Sequence, residues 1–348
     1  MHPATTVSTV GGLLAAWLLG GLVAVQAHLN SRLAHELGGG LDGAADGALL
    51  SFGFGFVVLC LVLCVAPAQR RGLRQVVAVV RGGHLRRWQL IGGTAGAFVV
   101  ASQSLTVGTI GVALFIVALV AGQTSSALLA DMVGAGPGGR QAITLGRAAG
   151  AVLALVAVVL AVSDRLGGAA TLAPAALLLA VLPLTAGGMT AWQQGFNGRI
   201  SVAGGPIPAA FINFGVGTAV LALFALVAAS TPGGVSAPPA PWGPQWWLYI
   251  GGVIGVIFIS AAAVLVRVLG VLVFGLCAVA GQVMGALLID LFLVRVEVGA
   301  LTVAGAVLTL VGVAIAAGSG RLRVRPVRVL GDDEGRETAP AEPGATGQ

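Results

Sequence analysis

The sequence predicts an all-α membrane protein of about ten transmembrane helices, arranged as two inverted five-helix repeats. Three observations predict this fold: an apolar composition, ten hydrophobic runs of membrane-spanning length, and a set of motifs that occur twice in the same order. Of the 348 residues, 57% are hydrophobic and only 9% are charged, whereas soluble domains carry about a quarter charged residues. Most of the protein surface is therefore expected to face lipid.

The ten apolar runs are each long enough to cross the hydrocarbon core of a bilayer, which takes about 20 residues in an α-helix. The predicted spans are 8–30, 46–66, 88–107, 110–132, 145–163, 174–196, 207–229, 246–266, 269–292 and 300–318. The junctions near Thr109 and Arg267 are so short that tight hairpins are expected there. Their backbone polar groups must then be satisfied inside the bundle, because lipid offers no partner.

The basic residues, all of them arginines, lie between the apolar runs and indicate the orientation. If both termini are cytoplasmic, 15 of the 18 arginines lie inside, and only Arg32, Arg165 and Arg295 lie outside. Because cytoplasmic loops retain basic residues during insertion, this predicts an even number of helices with both termini in the cytoplasm. The arginines form no patch on a soluble face, so no nucleic-acid partner is predicted. The tail, residues 321–348, has too few apolar residues to fold and is predicted to be disordered and cytoplasmic.

Several motifs of the first half recur in the second half. GGLVAVQAHLNSR at 20–32 matches GGMTAWQQGFNGR at 187–199, AGQTSSALLAD at 121–131 matches AGQVMGALLID at 280–290, and AGAVLALV at 149–156 matches AGAVLTLV at 304–311. Between them, Ser51, Phe52, Gly53 and Gly55 match Asn213, Phe214, Gly215 and Gly217, and Gly92, Gly96 and Gly111 match Gly251, Gly255 and Gly270. The predicted repeats are 1–165 and 166–320. Because each has an odd number of helices, the second must enter the membrane inverted, as in many secondary transporters.

The Gly, Gln, Asn and Arg pattern that ends the first helix, followed by Ser51-Phe52-Gly53-x-Gly55, resembles the YdcZ-type inner-membrane exporter family of the drug/metabolite transporter superfamily. The doubled form resembles the ten-helix, EamA-like members over residues 13–317. This resemblance implies a helical transporter fold and an export function, without a defined substrate. The small multidrug exporters of the superfamily keep a membrane-embedded Glu in their first helix. Gln26 and Gln193 occupy that place here, so the resemblance does not extend to simple proton-for-drug exchange.

Amide side chains within the apolar runs are the principal candidates for a substrate site, because polar groups in a membrane usually face the bundle interior. Gln26 and Asn30 are four residues apart and share one helix face, as do Gln193 and Asn197. Inversion is expected to bring the two faces together near the bundle axis, where amides can bind a polar or zwitterionic solute. The alternative is that they form hydrogen bonds between neighbouring helices as packing contacts.

Four further side chains are candidates for the same substrate site. Gln123 and Gln282 belong to the repeated Ala-Gly-Gln motif, and Trp17 and Trp192 lie in the first and sixth helices, where their rings can stack on a solute. Two unrepeated amides, Gln103 and Gln194, rank behind them.

Asp131 and Asp290 end the repeated Ala-Gly-Gln segment and are expected near opposite membrane faces. Ion pairs at the helix ends are favoured for them over a gating or proton-coupling role. The candidate partners are Arg147 or Arg199 on the inside and Arg32 or Arg295 on the outside.

The predicted function is secondary transport of a small solute, as an exporter or permease, with membrane lipid as the other partner. No nucleotide-binding motif is present, so an ion gradient or the solute's own gradient would supply the energy. No cofactor or metal is predicted, because Cys60, Cys64, Cys277 and the four histidines lack partners at ligand spacing. The alternatives are a non-transport membrane protein, such as a lipid-modifying enzyme or an assembly factor, and a passive channel, which would need a continuous polar stripe.

Overall fold

A computed structural model of the chain describes residues 9–135, 139–140, 143–166, 173–230, 245–295 and 298–318. All regular secondary structure within these residues is helical, which confirms the predicted all-α class. The tail that was predicted to be disordered, 321–348, lies outside the described residues, as does the segment 231–244.

The described residues form α-helices that we number in chain order. They are α1 Thr9–Glu36, α2 Gly40–Val65, α3 Pro67–Arg81, α4 Gly93–Val133, α5 Leu145–Leu166, α6 Ala173–Gly204, α7 Pro206–Ala228, α8 Ile250–Leu288 and α9 Ala300–Gly318. Short 3-10 helices lead into α4 and α8, at Arg87–Gly92 and Trp246–Tyr249, and a π-helical turn at Ile289–Val294 follows α8.

Five segments in the described part of the chain are long and apolar enough to cross a membrane. They are Val10–Glu36, Gly40–Val65, Arg87–Val133, Pro206–Ala228 and Cys277–Val294. Shorter apolar helices occur at Leu145–Ala161, Trp246–Ala262 and Ala300–Ile315. The structure therefore confirms long apolar helices, of which five rather than ten are long and apolar enough to cross a membrane among the described residues, and it groups some predicted spans into longer helices.

α4 is twice as long as one membrane crossing requires. A continuous helix of its 41 residues would rise by about 60 Å, against about 30 Å for the hydrocarbon core. The helix is broken at Gly111, whose φ of 80° and ψ of 163° are not helical and are readily adopted only by glycine. The tight junction predicted near Thr109 is thus a direct break between two helical parts, which we call α4a (93–110) and α4b (112–133). α8, with 39 residues, has a similar length, and the junction predicted near Arg267 lies within it. Gly255 and Gly285 both contact α1, at Gln26 and at Gly21, whereas a straight helix would separate them by about 45 Å, so α8 also folds back.

The connection between α2 and α4 contains a helix that hydropathy did not predict. α3 begins at Pro67 because Ala66 adopts an extended backbone conformation after α2 and proline is well accepted in the first helical turn. The segment 66–87, which lies between the predicted spans 46–66 and 88–107, is therefore largely helical. Gly72 and the buried Val76 face inward, against the end of α6 and the start of α7.

The most extensive helix contacts are those of α4 with α6, α1 with α8 and α5 with α9, followed by α2 with α7. Glycines make these contacts close. In the α1–α8 pair, Gly20 lies against the carbonyl oxygen of Ala278, and Gly281 lies against that of Trp17. A Cβ atom on either glycine would collide with the oxygen, so only glycine allows this approach of the two backbones.

The contact between α4b and α6 is made in the same way. Gly187 lies against the carbonyl oxygen of Leu119, and Gly122 lies against that of Leu184. At an offset of 167, Gly187 and Leu184 are equivalent to Gly20 and Trp17. At an offset of 159, Leu119 and Gly122 are equivalent to Ala278 and Gly281. Each close contact in one pair of helices therefore has a counterpart in the other pair.

α4b lies at the centre of the largest hydrophobic core of the described chain. Residues 112–120 are almost inaccessible to solvent and pack against α1, α5, α8 and α9. The break at Gly111 therefore lies deep in the bundle, and any polar group exposed there needs a partner from the protein.

Candidate functional site

Asn30 of α1 is the centre of a buried polar cluster. Its side chain is inaccessible to solvent, and its Nδ2 donates to Oε1 of Gln103 in α4a at 2.6 Å. Its Oδ1 accepts a hydrogen bond from Oγ of Ser51 in α2 at 2.7 Å, and its backbone carbonyl accepts one from Oγ of Ser104 at 3.5 Å. These bonds join α1 to α2 and α4a, which is the packing role that the sequence left open for this amide.

Gln26 lies one turn before Asn30 and faces α8 through glycines. Its side chain is 8% exposed, and its Nε2 would lie 3.2 Å from a Cβ on Gly255. Gly251, one turn earlier in α8, faces the Oδ1 of Asn30 and the Oγ of Ser51. The space that the two amides occupy exists because α8 presents glycine to them.

Gln193 and Asn197 of α6 form an equivalent cluster with α4a and α7. Gln193 is buried, and its Nε2 would lie 2.8 Å from a Cβ on Gly96. The Oδ1 of Asn197 accepts a hydrogen bond from Nδ2 of Asn213 at 3.2 Å. Asn213 is 1% exposed, and its own Oδ1 has no hydrogen-bond partner within the described residues.

Asn213 was not among the sequence candidates, although the repeat contained the signal that identifies it. It occupies the position equivalent to Ser51, at an offset of 162. Ser51 binds Asn30 and Asn213 binds Asn197. The structure therefore adds one side chain from α2 and one from α7 to the candidate site.

Two stacked phenylalanines connect the amide clusters. The ring centroids of Phe52 in α2 and Phe214 in α7 are 4.3 Å apart, with an angle of 17° between the ring planes. A Cβ on Gly96, beside Gln193, would lie 3.0 Å from the Phe52 ring, and one on Gly255, beside Gln26, would lie 3.1 Å from the Phe214 ring. In this conformation the two amide pairs thus form separate clusters with the aromatic pair between them.

The two glutamines of the repeated Ala-Gly-Gln motif differ in their surroundings. Gln282 is 4% exposed, and its Oε1 has no hydrogen-bond partner in the part of the chain that the structure describes. Gln123 is half-buried. A buried acceptor without a partner costs about 1–3 kcal/mol, so Gln282 and Asn213 are the positions at which a bound donor would be most stabilising.

The two candidate tryptophans also differ. Trp192 is half-buried, and its Nε1 donates to Oγ of Ser126 in α4b at 3.1 Å. Trp17 has 39% of its surface exposed, and its contact with α8 is made by its backbone carbonyl and Gly281. Of the unrepeated amides, Gln103 is the buried partner of Asn30, whereas Gln194 is exposed.

Asp131, at the end of α4b, forms an ion pair with Arg147 of α5. This confirms one of the predicted partners. Arg199, the other candidate partner, donates instead to the backbone carbonyl of Gly134.

Asp290 is completely buried, and its carboxylate binds the start of α4b, directly after the break in α4. Its Oδ1 accepts from the backbone N–H of Val112 at 2.9 Å, and its Oδ2 accepts from that of Ala113 at 2.7 Å. These are the first N–H groups of α4b, which have no helical acceptor and whose positive dipole end favours a carboxylate. The predicted ion pair of Asp290 with Arg32 or Arg295 is wrong: no such pair is present among the described residues.

The buried polar groups of the candidate site are amides, hydroxyls and the carboxylate of Asp290, which caps α4b. Within the described residues, no group of three or more His, Cys, Asp or Glu side chains lies close enough to hold a metal ion. The side chains of the two amide clusters can donate and accept several hydrogen bonds, and they carry no net charge.

Comparison with known proteins gives one family assignment. A family model described as "Putative inner membrane exporter, YdcZ" matches residues 11–160 and 178–315. These two regions contain the two sets of repeated motifs. No curated protein matches the chain, and no solved structure does.

Proposed function

Because this chain belongs to the YdcZ family of inner membrane exporters, we propose that it is a secondary transporter that carries a small polar solute across the bacterial inner membrane. The family supports membrane transport as the general class, and the geometry of the described residues supports the mechanism that follows. The alternatives are a lipid-modifying enzyme and an assembly factor; an enzyme would need reactive side chains close together, and the described residues contain no group of three or more His, Cys, Asp or Glu side chains that could hold a metal ion.

We propose that ten crossings form two inverted five-helix repeats, with α4 and α8 each crossing the membrane twice and both termini cytoplasmic. The equivalent glycine contacts of α1 with α8 and of α6 with α4b support this arrangement most directly. The α5–α9 contact adds to it, because Gly305 faces Ala157 and Gly312 faces Gly150. An offset of 155 relates the two helices and makes Gly305 equivalent to Gly150 and Gly312 equivalent to Ala157, so the two contacts are counterparts of each other.

We place the solute between the two amide clusters, with Gln26 of α1, Gln193 of α6 and Gln282 of α8 as its hydrogen-bonding partners. The stacked rings of Phe52 and Phe214 lie between the clusters in this conformation. An unpaired charge would be costly in such surroundings, so the proposed solute is neutral or zwitterionic. Its hydrogen-bond donors would satisfy the free acceptors of Gln282 and Asn213.

We further propose that Asp290 and Asp131 alternate in capping a helix break, one in each of two conformations. In this conformation Asp290 holds the break at Gly111, whereas Asp131, its equivalent, pairs with Arg147. The glycine equivalent to Gly111 is Gly270 in α8. An inverted repeat that occupies one of two states is expected to show this asymmetry, and the opposite state would release Asp290 and engage Asp131.

The flux experiment compares two adjacent glutamines of α6. Gln193 is buried in the cluster, whereas Gln194 is exposed, so Gln194→Ala is a matched control for Gln193→Ala. Uptake and efflux of a panel of metabolites are measured in inverted vesicles. Loss of one buried hydrogen-bonding partner of the solute predicts about tenfold lower flux for Gln193→Ala and unchanged flux for Gln194→Ala. Equal flux in the two variants, for a compound that is transported, would exclude this site.

The inverted arrangement is tested by cysteine labelling from each side of the membrane. Cys60, Cys64 and Cys277 are first replaced by alanine, and single cysteines are then placed at Arg140 or Arg295. Both positions are exposed and follow equivalent helical segments. Inversion predicts that an impermeant maleimide labels Arg140→Cys only in inverted vesicles and Arg295→Cys only in intact cells. Labelling of both from the same side would contradict the repeat arrangement.

A further inference from the structure

α3 interrupts the correspondence between the two halves. The connection that contains it, residues 66–87, has six arginines and no acidic residue. The equivalent connection between α7 and α8, residues 230–245, has no charged residue at all. The repeated core therefore does not require a basic segment at this position, and the arginines of α3 need a separate explanation.

One face of α3 is fixed to the protein. Gly72 and Gly204 lie against each other's carbonyl oxygens, and a Cβ on either would collide with the opposite backbone. Val76 is 1% exposed and packs with Ile200 of α6 and Ala209 of α7. The helix is therefore held rigidly across the end of α6 and the start of α7.

The opposite face of α3 is basic and open. Arg70, Arg74, Val77 and Arg81 follow one another in steps of three and four residues, so they share one face, and all four are exposed. Among the described residues none of these arginines forms an ion pair. A shallow cavity, open to the surroundings, lies on this face, and it is lined by Leu73, Arg74, Val77, Ala78 and Arg81.

The position of α3 along the chain places this face at the membrane surface. α2 is long and apolar enough to span the membrane and ends at Val65, and α3 begins two residues later, at Pro67. An amphipathic helix with arginines on its polar side and leucine or valine beside them is typical of a helix that lies in the interface. The cavity thus offers apolar and cationic groups at the depth of lipid headgroups.

We propose that the exposed face of α3 binds one anionic phospholipid of the membrane. The phosphate lies between the guanidinium groups of Arg74 and Arg81, which suit phosphate oxygens, and an acyl chain lies along Leu73 and Val77. Retention of positive charge in the cytoplasm explains why a loop is basic. It does not explain why arginines flank an apolar cavity on a helix that glycines fix to α6 and α7.

The test measures lipid binding by the purified full-length protein and does not require transport. Native mass spectrometry is carried out with phosphatidylglycerol and, separately, with phosphatidylcholine. We expect one tightly retained phosphatidylglycerol. Because each basic residue near an anionic headgroup contributes a factor of about five in affinity, the double variant Arg74→Gln/Arg81→Gln should bind about 30-fold more weakly.

The matched control is Arg86→Gln/Arg87→Gln, which removes the same charge from the same connection but lies beyond α3. We expect it to bind phosphatidylglycerol within about threefold of wild type. If the glutamine variant does not fold, Arg74→Lys/Arg81→Lys, which keeps both charges, should retain most of the binding. Equal weakening in the two glutamine variants, equal retention of phosphatidylcholine, or displacement of the lipid by millimolar inorganic phosphate would each overturn the proposal.

Discussion

The close approach of α8 to α1 at Gly281 leads to a quantitative prediction for Gly281→Ala. A Cβ at this position would collide with the backbone carbonyl oxygen of Trp17, and it would also meet the backbone of Gly21. Neither group is the end of a flexible side chain, so the two helices must move apart. Overpacking of this kind typically costs about 1–3 kcal/mol.

Gly275→Ala in the same helix separates this packing cost from the effect of alanine on the helix itself. A Cβ on Gly275 meets nothing within 4 Å, and alanine favours the helix by up to about 1 kcal/mol over glycine. The difference in unfolding free energy between the two variants therefore isolates the packing cost, about 1–3 kcal/mol. Gly122→Ala should show the same loss, because Gly122 makes the equivalent contact with Leu184.

The assay is unfolding in detergent micelles, followed by helical circular dichroism during titration with denaturant. All three variants are measured at one detergent concentration beside the wild type. The expected order of stability is Gly275→Ala at or above wild type, with Gly281→Ala and Gly122→Ala below it by similar amounts. If Gly281→Ala is as stable as Gly275→Ala, the glycine contact is not what determines the approach of α1 and α8.

Three further predictions follow from the candidate site. Asp290→Ala leaves the N–H groups of Val112 and Ala113 buried without an acceptor, so thermal unfolding should show a loss of stability of about 1–3 kcal/mol for each group. Asp290→Asn keeps one acceptor oxygen and should lose less stability; equal losses in the two variants would argue against the cap. Asn30→Ala should lower the unfolding temperature more than Asn197→Ala, because Asn30 makes two short side-chain bonds and Asn197 one longer bond; the reverse order would contradict this assignment. Phe52→Ala should lower the free energy of unfolding by about 3–5 kcal/mol. A double-mutant cycle with Phe214→Ala should give a coupling energy of about 0.5–1.5 kcal/mol, whereas additive losses would show that the stacked rings act independently.

The helical class, the membrane location and the family could be predicted from the sequence because they depend on signals that are local or repeated along the chain. Runs of about 20 apolar residues identify membrane helices without knowledge of their partners. Matching strings identify equivalent positions without coordinates, and these positions include Gly20 and Gly187, which the structure places in equivalent contacts. The sequence also singled out Gln26, Asn30, Gln193 and Asn197, all of which lie in the two polar clusters, although their role in binding stays a prediction.

Only the tertiary structure decided which partners these residues have. Asp290 reaches N–H groups that lie 178 and 177 residues earlier in the chain, and no local pattern distinguishes that cap from an ion pair with a nearby arginine. The helix α3 escaped hydropathy analysis because its 15 residues include four arginines and its longest apolar run, 76–80, is far shorter than the roughly 20 residues of a membrane span. The side chain that an amide binds depends on which helix faces it, and packing in three dimensions, not the order of residues, determines that neighbour.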